Sequence, residues 1–214
     1  MTQLSRIARG LLFTAALTLG VFAVAHAEGG GALALGSPAP MATAVLHNID
    51  GKDVTLAGVA GKKGTLVFFI CNHCPYVKAW QSRIAEVGKA AAAKGIGVIA
   101  INANDPAAYP EDSFDQMVKR AKDVGYTFAY AVDPTSDVAR AFGASHTPEA
   151  FLFDAKGKLV YHGAIDDNGQ DAKAVKSHWV QDAVVAVASG RPVATAETKA
   201  LGCGIKFREA AQAN

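Results

Sequence analysis

Along this chain, uncharged apolar runs alternate with segments whose apolar residues recur every three or four positions. Leu66-Val67-Phe68-Phe69-Ile70, bounded upstream by Gly64, is an unbroken apolar run of the kind that forms a strand buried on both faces. Val77, Trp80, Ile84, Val87 and Ala91 follow at steps of three and four and lie on one face of a helix. Ile96 to Ile101 predicts a second buried strand, which completes a β-α-β unit. Phe114, Met117, Val118 and Ala121 mark another amphipathic helix, followed by a strand from Phe128 to Val132. Asp133-Pro134 punctuates the chain before a short helix over Ser136 to Phe142. Ala150 to Phe153 and Leu159 to His162 flank Lys156-Gly157 and predict a hairpin. Val175, Trp179, Val180, Val184 and Val187 make a final helix, stopped by Gly190 and Pro192. Upstream, Val45 to Leu56 with Asp50-Gly51 in its middle predicts an N-terminal hairpin, and Gly36-Ser37-Pro38-Ala39-Pro40 opens the folded part. Beyond Thr195 no period emerges until Ile205 and Phe207.

These elements describe one α/β domain over residues 36–190, followed by a tail, 191–214, with no internal repeat. The N-terminus reads differently. Arg6 and Arg9 precede an uncharged, mostly apolar run from Leu11 to Ala25, which ends at the small-x-small site Ala25-His26-Ala27. A membrane-spanning helix needs about 20 apolar residues, so this run of 15 reads as a cleavable export signal over 1–27, followed by a flexible leader over 28–35. An uncleaved anchor is the competing reading, and no other apolar run is long enough to span a bilayer. Cleavage after Ala27 removes two arginines and no acid, leaving 19 basic against 19 acidic residues. That balance carries no nucleic-acid footprint and no polybasic membrane surface. Export places the protein, periplasmic or secreted, in an oxidising compartment where disulfides persist.

The chemistry concentrates in Phe69 to Val77, FICNHCPYV, where Cys71 and Cys74 stand two residues apart at the first strand-to-helix junction. A helix N-terminus offers unpaired N–H groups and about half a positive charge, which stabilise a thiolate. Cys71, the first of the pair, is therefore expected to be the exposed nucleophile, and Cys74, one turn on, the covered resolving thiol. His73 adds a donor beside the sulfur and would make the couple more oxidising; the plainer reading is a solvated turn residue. Pro75 costs little, because first-turn N–H groups have no helical partner. A structural zinc site wants four ligands and there is no second C-x-x-C. As a structural staple, a disulfide across so short a loop would close little chain entropy.

Strand, C-x-x-C, helix, strand and then Ser145-His146-Thr147-Pro148-Glu149-Ala150-Phe151-Leu152-Phe153-Asp154 resemble the thioredoxin-like superfamily. The opening Gly36-Ser37-Pro38-Ala39-Pro40, Cys71-Asn72-His73-Cys74-Pro75-Tyr76-Val77-Lys78 and Gly202-Cys203-Gly204-Ile205-Lys206-Phe207 are similar to its redoxin, or peroxiredoxin-like (AhpC/TSA-type), branch. The resemblance covers about Gly36 to Phe207. It implies a thioredoxin-like fold: a central mixed β-sheet flanked by helices, with a helix–strand insertion between Asp112 and Val132. It also implies a cis-proline, here Pro148, facing the dithiol, with Thr147 before it offering backbone hydrogen bonds to a bound partner. An ordinary trans turn is the plain alternative for Pro148, and only an X-Pro bond adopts cis at small cost. The function implied is an exported thiol–disulfide oxidoreductase that works through a mixed disulfide, needs no dissociable cofactor, and exchanges with protein or small-molecule thiols and disulfides and a reductant protein.

Two other functions compete. A thiol peroxidase is suggested by Cys74-Pro75, but the peroxiredoxin pattern P-x-x-x-T-x-x-C would need threonine where Cys71 stands and proline where Val67 stands. A copper chaperone would bind Cu(I) through Cys71, Cys74 and His146, since thiolate and imidazole suit that ion. The thioredoxin pattern has gaps as well. Ile70 stands where a tryptophan is usual, Thr65 to Ile70 holds no acid, and Val77 takes the place of a glutamate. Asp133 is then the candidate proton acceptor for Cys74. Cys203, between two glycines, reads either as an accessory resolving thiol or as an idle one.

Overall fold

The computed structural model describes residues 31–209. The proposed export signal over 1–27 lies outside them. Of the leader, residues 31–35 are described, and Leu33 among them is packed: it donates its N–H to Phe142 O (3.0 Å) and its side chain lies against the core. Among the described residues no helix is long and apolar enough to cross a membrane.

The apolar runs become strands of one mixed sheet. Strands β1 (Leu46–Asn48) and β2 (Asp53–Val54) form the N-terminal hairpin, and a four-residue helix α1 (Leu56–Val59) follows, capped by the Thr55 side chain. β3 (Gly64–Phe69), α2 (Pro75–Ala93) and β4 (Ile96–Asn102) are the β-α-β unit. The insertion supplies α3 (Phe114–Val124) and β5 (Ala129–Val132), and α4 (Asp137–Phe142) follows. A two-residue strand β6 (His146–Thr147) leads through the cis Thr147–Pro148 bond into β7 (Glu149–Asp154) and β8 (Leu159–Gly163). α5 (Trp179–Ala188) and a last short strand β9 (Cys203–Gly204) complete the chain.

Half of the sheet runs β2-β1-β5-β4, with β4 and β5 parallel; the other half runs β3-β7-β8 and is antiparallel. The halves meet where β3 lies beside β4, the Ile70 N–H donating to Ile101 O (3.0 Å). Side chains alternate across the pleat, so each strand feeds two cores. On one face Leu66 and Phe68 of β3 meet Trp80, Ile84 and Val87 of α2 and Val184 of α5. On the other, Val67 and Phe69 meet Phe142 of α4, with Phe151 and Phe153 of β7. Two outcomes differ from the sequence expectation. Val175 lies outside the last helix, which begins at Trp179, and the tail after Thr195 is ordered against the body through β9.

Candidate active site

β3 ends at Phe69 and α2 begins at Pro75, so the five residues between them form a short loop over the sheet edge. Cys71 sits in that loop and Cys74 is the residue capping α2. Both are closed off, at 1% and 0% exposure: Cys74 is covered as expected, whereas Cys71, expected to be open, is covered too. The cause is chain packed over the loop from two sides. Pro110–Asp112 lies against it through Asp112, and β9 lies against β6 with its Cys203 over the pair. The Thr147 hydroxyl lies 3.1 Å from Cys71 Sγ, and the Cys74 thiol, when protonated, donates to Thr147 O at 3.2 Å. The residue before the cis-proline thus contacts both sulfurs.

Protons are unevenly shared. Cys74 is lowered to about 4 because the Cys71 thiol bonds to its sulfur, with the Cys203 thiol adding to the effect and burial opposing it. Its place at the opening of α2 works in the same direction. Cys71 is raised far above the usual thiol value by that same bond, by burial, and by the Asp112 carboxylate facing it. Both directions favour the thiolate on Cys74 over Cys71, whereas the motif alone suggests the opposite order. Helix geometry explains the difference: the helix starts after the second cysteine, so the N-terminal field falls on Cys74.

His73 is held rather than loosely solvated. Its Nδ1 lies 2.6 Å from Asp112 Oδ2, its ring stacks on Tyr109 with centroids 4.1 Å apart, and its side chain is 13% exposed. Asp112 is the residue that sequence reasoning missed. Its Oδ1 accepts from the backbone N–H of Asn72 (2.6 Å) and His73 (3.2 Å), and its Oδ2 also accepts from Asn104 Nδ2 (2.8 Å). It lies 41 positions after Cys71, in the segment before α3, where no local pattern distinguishes it from Glu111 beside it. Asp133, the earlier candidate for the proton acceptor, is spent elsewhere: its Oδ2 accepts from Ala139 N and fixes the first turn of α4.

The structure does not gather Cys71, Cys74 and His146 as a metal site. Neighbouring residues of a strand face opposite sides, so with Thr147 turned to the sulfurs His146 turns away and bonds Ser145 Oγ (2.8 Å). Among the described residues, the ligand-type atoms that do converge, within 4.8 Å of one another, belong to Cys71, His73 and Asp112. Every Asp112 oxygen there already accepts two hydrogens, so the group is closed by its own hydrogen bonds. Cys203 is drawn in: Thr147 pairs with Cys203 and His146 with Gly204 in an antiparallel ladder, and Cys203 Sγ lies 2.7 Å from Cys74 Sγ.

The fold recurs among known proteins. A structure described as a hypothetical protein from Sinorhizobium meliloti 1021 is 36% identical, superposes with a TM-score of 0.77, and covers 84% of this chain and 97% of its own. A thioredoxin-like protein solved in its oxidised form shares the fold at 19% identity, with a TM-score of 0.56 over 73% of this chain and 97% of that one. Thiol-disulfide oxidoreductase ResA of Halalkalibacterium halodurans is 26% identical over 116 residues, which are 54% of this chain. The match spans 61% of that relative's length. The fold is thus thioredoxin-like, a mixed sheet flanked by helices. The sequence model of the AhpC/TSA family matches residues 35–162, more than half of the chain and all of β1 to α4, so the chain belongs to the AhpC/TSA family.

Proposed function

We propose that this protein is an exported thiol–disulfide oxidoreductase whose redox centre is the Cys71–Cys74 pair. The observation that carries the reading is the placement of both sulfurs against Thr147 and the cis-proline edge, with Cys74 capping α2. The Cys74 thiolate attacks a partner disulfide and expels one partner thiolate. Cys71 then gives up its proton, attacks the Cys74 sulfur of the mixed disulfide and releases the second partner thiolate. Two electrons leave the dithiol and the partner gains them; in reverse, the pair hands a disulfide outward. His73, locked by Asp112 and Tyr109, stands beside Cys71 as the group that relays its proton. Thr147 and Pro148 form the wall against which the partner rests. ResA carries the name of such an oxidoreductase, and a neighbour of the same fold is described as a secreted disulfide oxidoreductase of Mycobacterium tuberculosis. The secretion of the second agrees with an N-terminal export signal and an oxidising compartment, and the partners would be thiols, disulfides and a reductant protein.

Trapping tests the assignment. In a Cys71→Ser/Cys203→Ser double variant, the Cys74 thiolate attacks glutathione disulfide and keeps one glutathione, seen by intact mass. A Cys74→Ser/Cys203→Ser variant forms that adduct far more slowly. Equal or faster labelling at Cys71 returns the attacking role to Cys71. If neither variant is labelled while the reduced wild type consumes hydrogen peroxide, the peroxidase reading replaces this one.

A further inference from the structure

The C-terminal tail occupies the edge at which a partner must dock. β9 adds an antiparallel strand to β6, with Cys203 opposite Thr147, and so takes the backbone positions that an extended partner peptide would use. The approach is close: a Cβ on Gly202 would stand 2.2 Å from Thr147 O, so only glycine lets the tail lie this near. Further along, Ile205 N donates to Ser145 O (3.0 Å), Lys206 N to Asn104 Oδ1 (2.8 Å) and Arg208 N to Ser136 Oγ (2.9 Å). Ile205 is buried in the sheet's second core. The tail is therefore docked along several residues, and its thiol arrives where a substrate's sulfur would arrive. Cys203 is partly exposed, whereas Cys71 and Cys74 are closed off.

We propose that Cys203 is a substrate built into the chain: it exchanges with the Cys71–Cys74 pair to form a Cys74–Cys203 disulfide, which carries redox equivalents between the buried pair and the solvent. The proposal rests on the oxidoreductase reading above. Starting from the Cys71–Cys74 disulfide, Cys203 loses its proton and its sulfur attacks the Cys74 sulfur. The Cys71–Cys74 bond breaks and Cys71 leaves as a thiolate that takes up a proton. One S–S bond replaces another, and no external oxidant is consumed. A partner dithiol then attacks the Cys203 sulfur and releases the Cys74 thiolate. Its second thiol closes the partner's disulfide and frees Cys203. Direct access to Cys74 requires the tail to lift, so the same strand shields the thiolate from other reagents.

Two variants that differ only at Cys203 test it. After glutathione disulfide, Cys71→Ser with Cys203 intact should lose its glutathione and end two mass units below the reduced protein, with Cys74 and Cys203 peptides cross-linked. In the Cys71→Ser/Cys203→Ser double variant the adduct persists. Intramolecular attack in a docked tail should exceed release by dilute external thiol about tenfold or more. Equal adduct lifetimes in the two variants overturn the proposal and leave the oxidoreductase reading standing. No adduct in the double variant overturns the proposal, and the oxidoreductase reading falls with it only where Cys74→Ser/Cys203→Ser also stays unlabelled. Gly202→Ala gives a second measure without altering a cysteine: with β9 pushed off β6, alkylation of reduced Cys74 should accelerate and the Cys74–Cys203 cross-link decline. An unchanged alkylation rate and cross-link yield in Gly202→Ala would contradict the docked-substrate role.

Discussion

At the scale of single residues, Asp112 decides how the dithiol is held. A carboxylate with 0% side-chain exposure is tolerated because four N–H donors converge on its two oxygens. An amide of the same shape keeps one acceptor oxygen but turns an NH2 group toward donors. Asp112→Asn should therefore destabilise the fold by about 1–3 kcal/mol, the cost of leaving a buried polar group mispaired. It also removes the negative charge that helps to hold Cys71 protonated, so the Cys71 titration should move down. Urea unfolding and thiolate absorbance against pH measure the two effects separately. A destabilised variant whose Cys71 titration stays in place would show that Asp112 only braces the loop. Cys71, Cys74, Thr147 and Pro148 were legible in the sequence because each belongs to a short, contiguous pattern. Asp112 was not, because what selects it is three-dimensional: it meets Asn72 and His73 about 40 positions earlier, and Glu111 beside it shows the same local features.

At the scale of elements, α2 sets the charge of the site through where it begins. Its buried face, Val77, Trp80, Ile84, Val87 and Ala91, was plain from the three-and-four spacing. Its first residue was not: Pro75 is tolerated anywhere in a first turn, so the motif does not say whether the helix opens after Cys71 or after Cys74, and the structure starts it at Pro75. β9 was illegible for another reason. Two residues, one of them a glycine, show no period, and their strand character comes wholly from pairing with β6. The position of α2 predicts how stability varies with pH. Cys74 falls from an ordinary value of 9.0 to about 4 in the folded, reduced protein. A lowered pKa contributes stability that is full above the unfolded value and lost as pH falls through the folded one. Cys203, raised to about 11, contributes stability that is constant below about 9, so it adds no slope in that window. The reduced protein should therefore gain stability relative to its disulfide form as pH rises from about 4 toward about 9. Paired denaturation curves at pH 5 and pH 8 read this directly; a constant difference between the two redox forms would place the thiolate elsewhere.

At the scale of the whole molecule, the redox loop is only as fixed as the join between α2 and the antiparallel half of the sheet. Much of that join is ordinary apolar packing against α5 and β7, which the hydrophobic pattern foretold. One polar contact, which no pattern foretold, ties α2 to the segment after β8. Asp166, 3% exposed, accepts from Trp80 Nε1 (2.7 Å) and from the Arg83 guanidinium, and it also accepts from Asn168 N (3.0 Å). Arg83 donates as well to Asn168 O (2.7 Å), so part of its charge stays satisfied without the acid. Asp166→Ala leaves the indole N–H buried without an acceptor and separates a largely buried ion pair, and the two losses together should cost about 3 kcal/mol. Asp166→Asn, which keeps an acceptor for Trp80 and loses the charge, should cost about half of that. Because the contact bridges the two halves through α2, the loss should fall on global unfolding, with one transition reported alike by tryptophan fluorescence and far-ultraviolet dichroism. Separate transitions would mean that α2 detaches first. In that case Cys74 should become open to alkylation before the sheet unfolds, since it caps α2 and leaves its buried position with that helix.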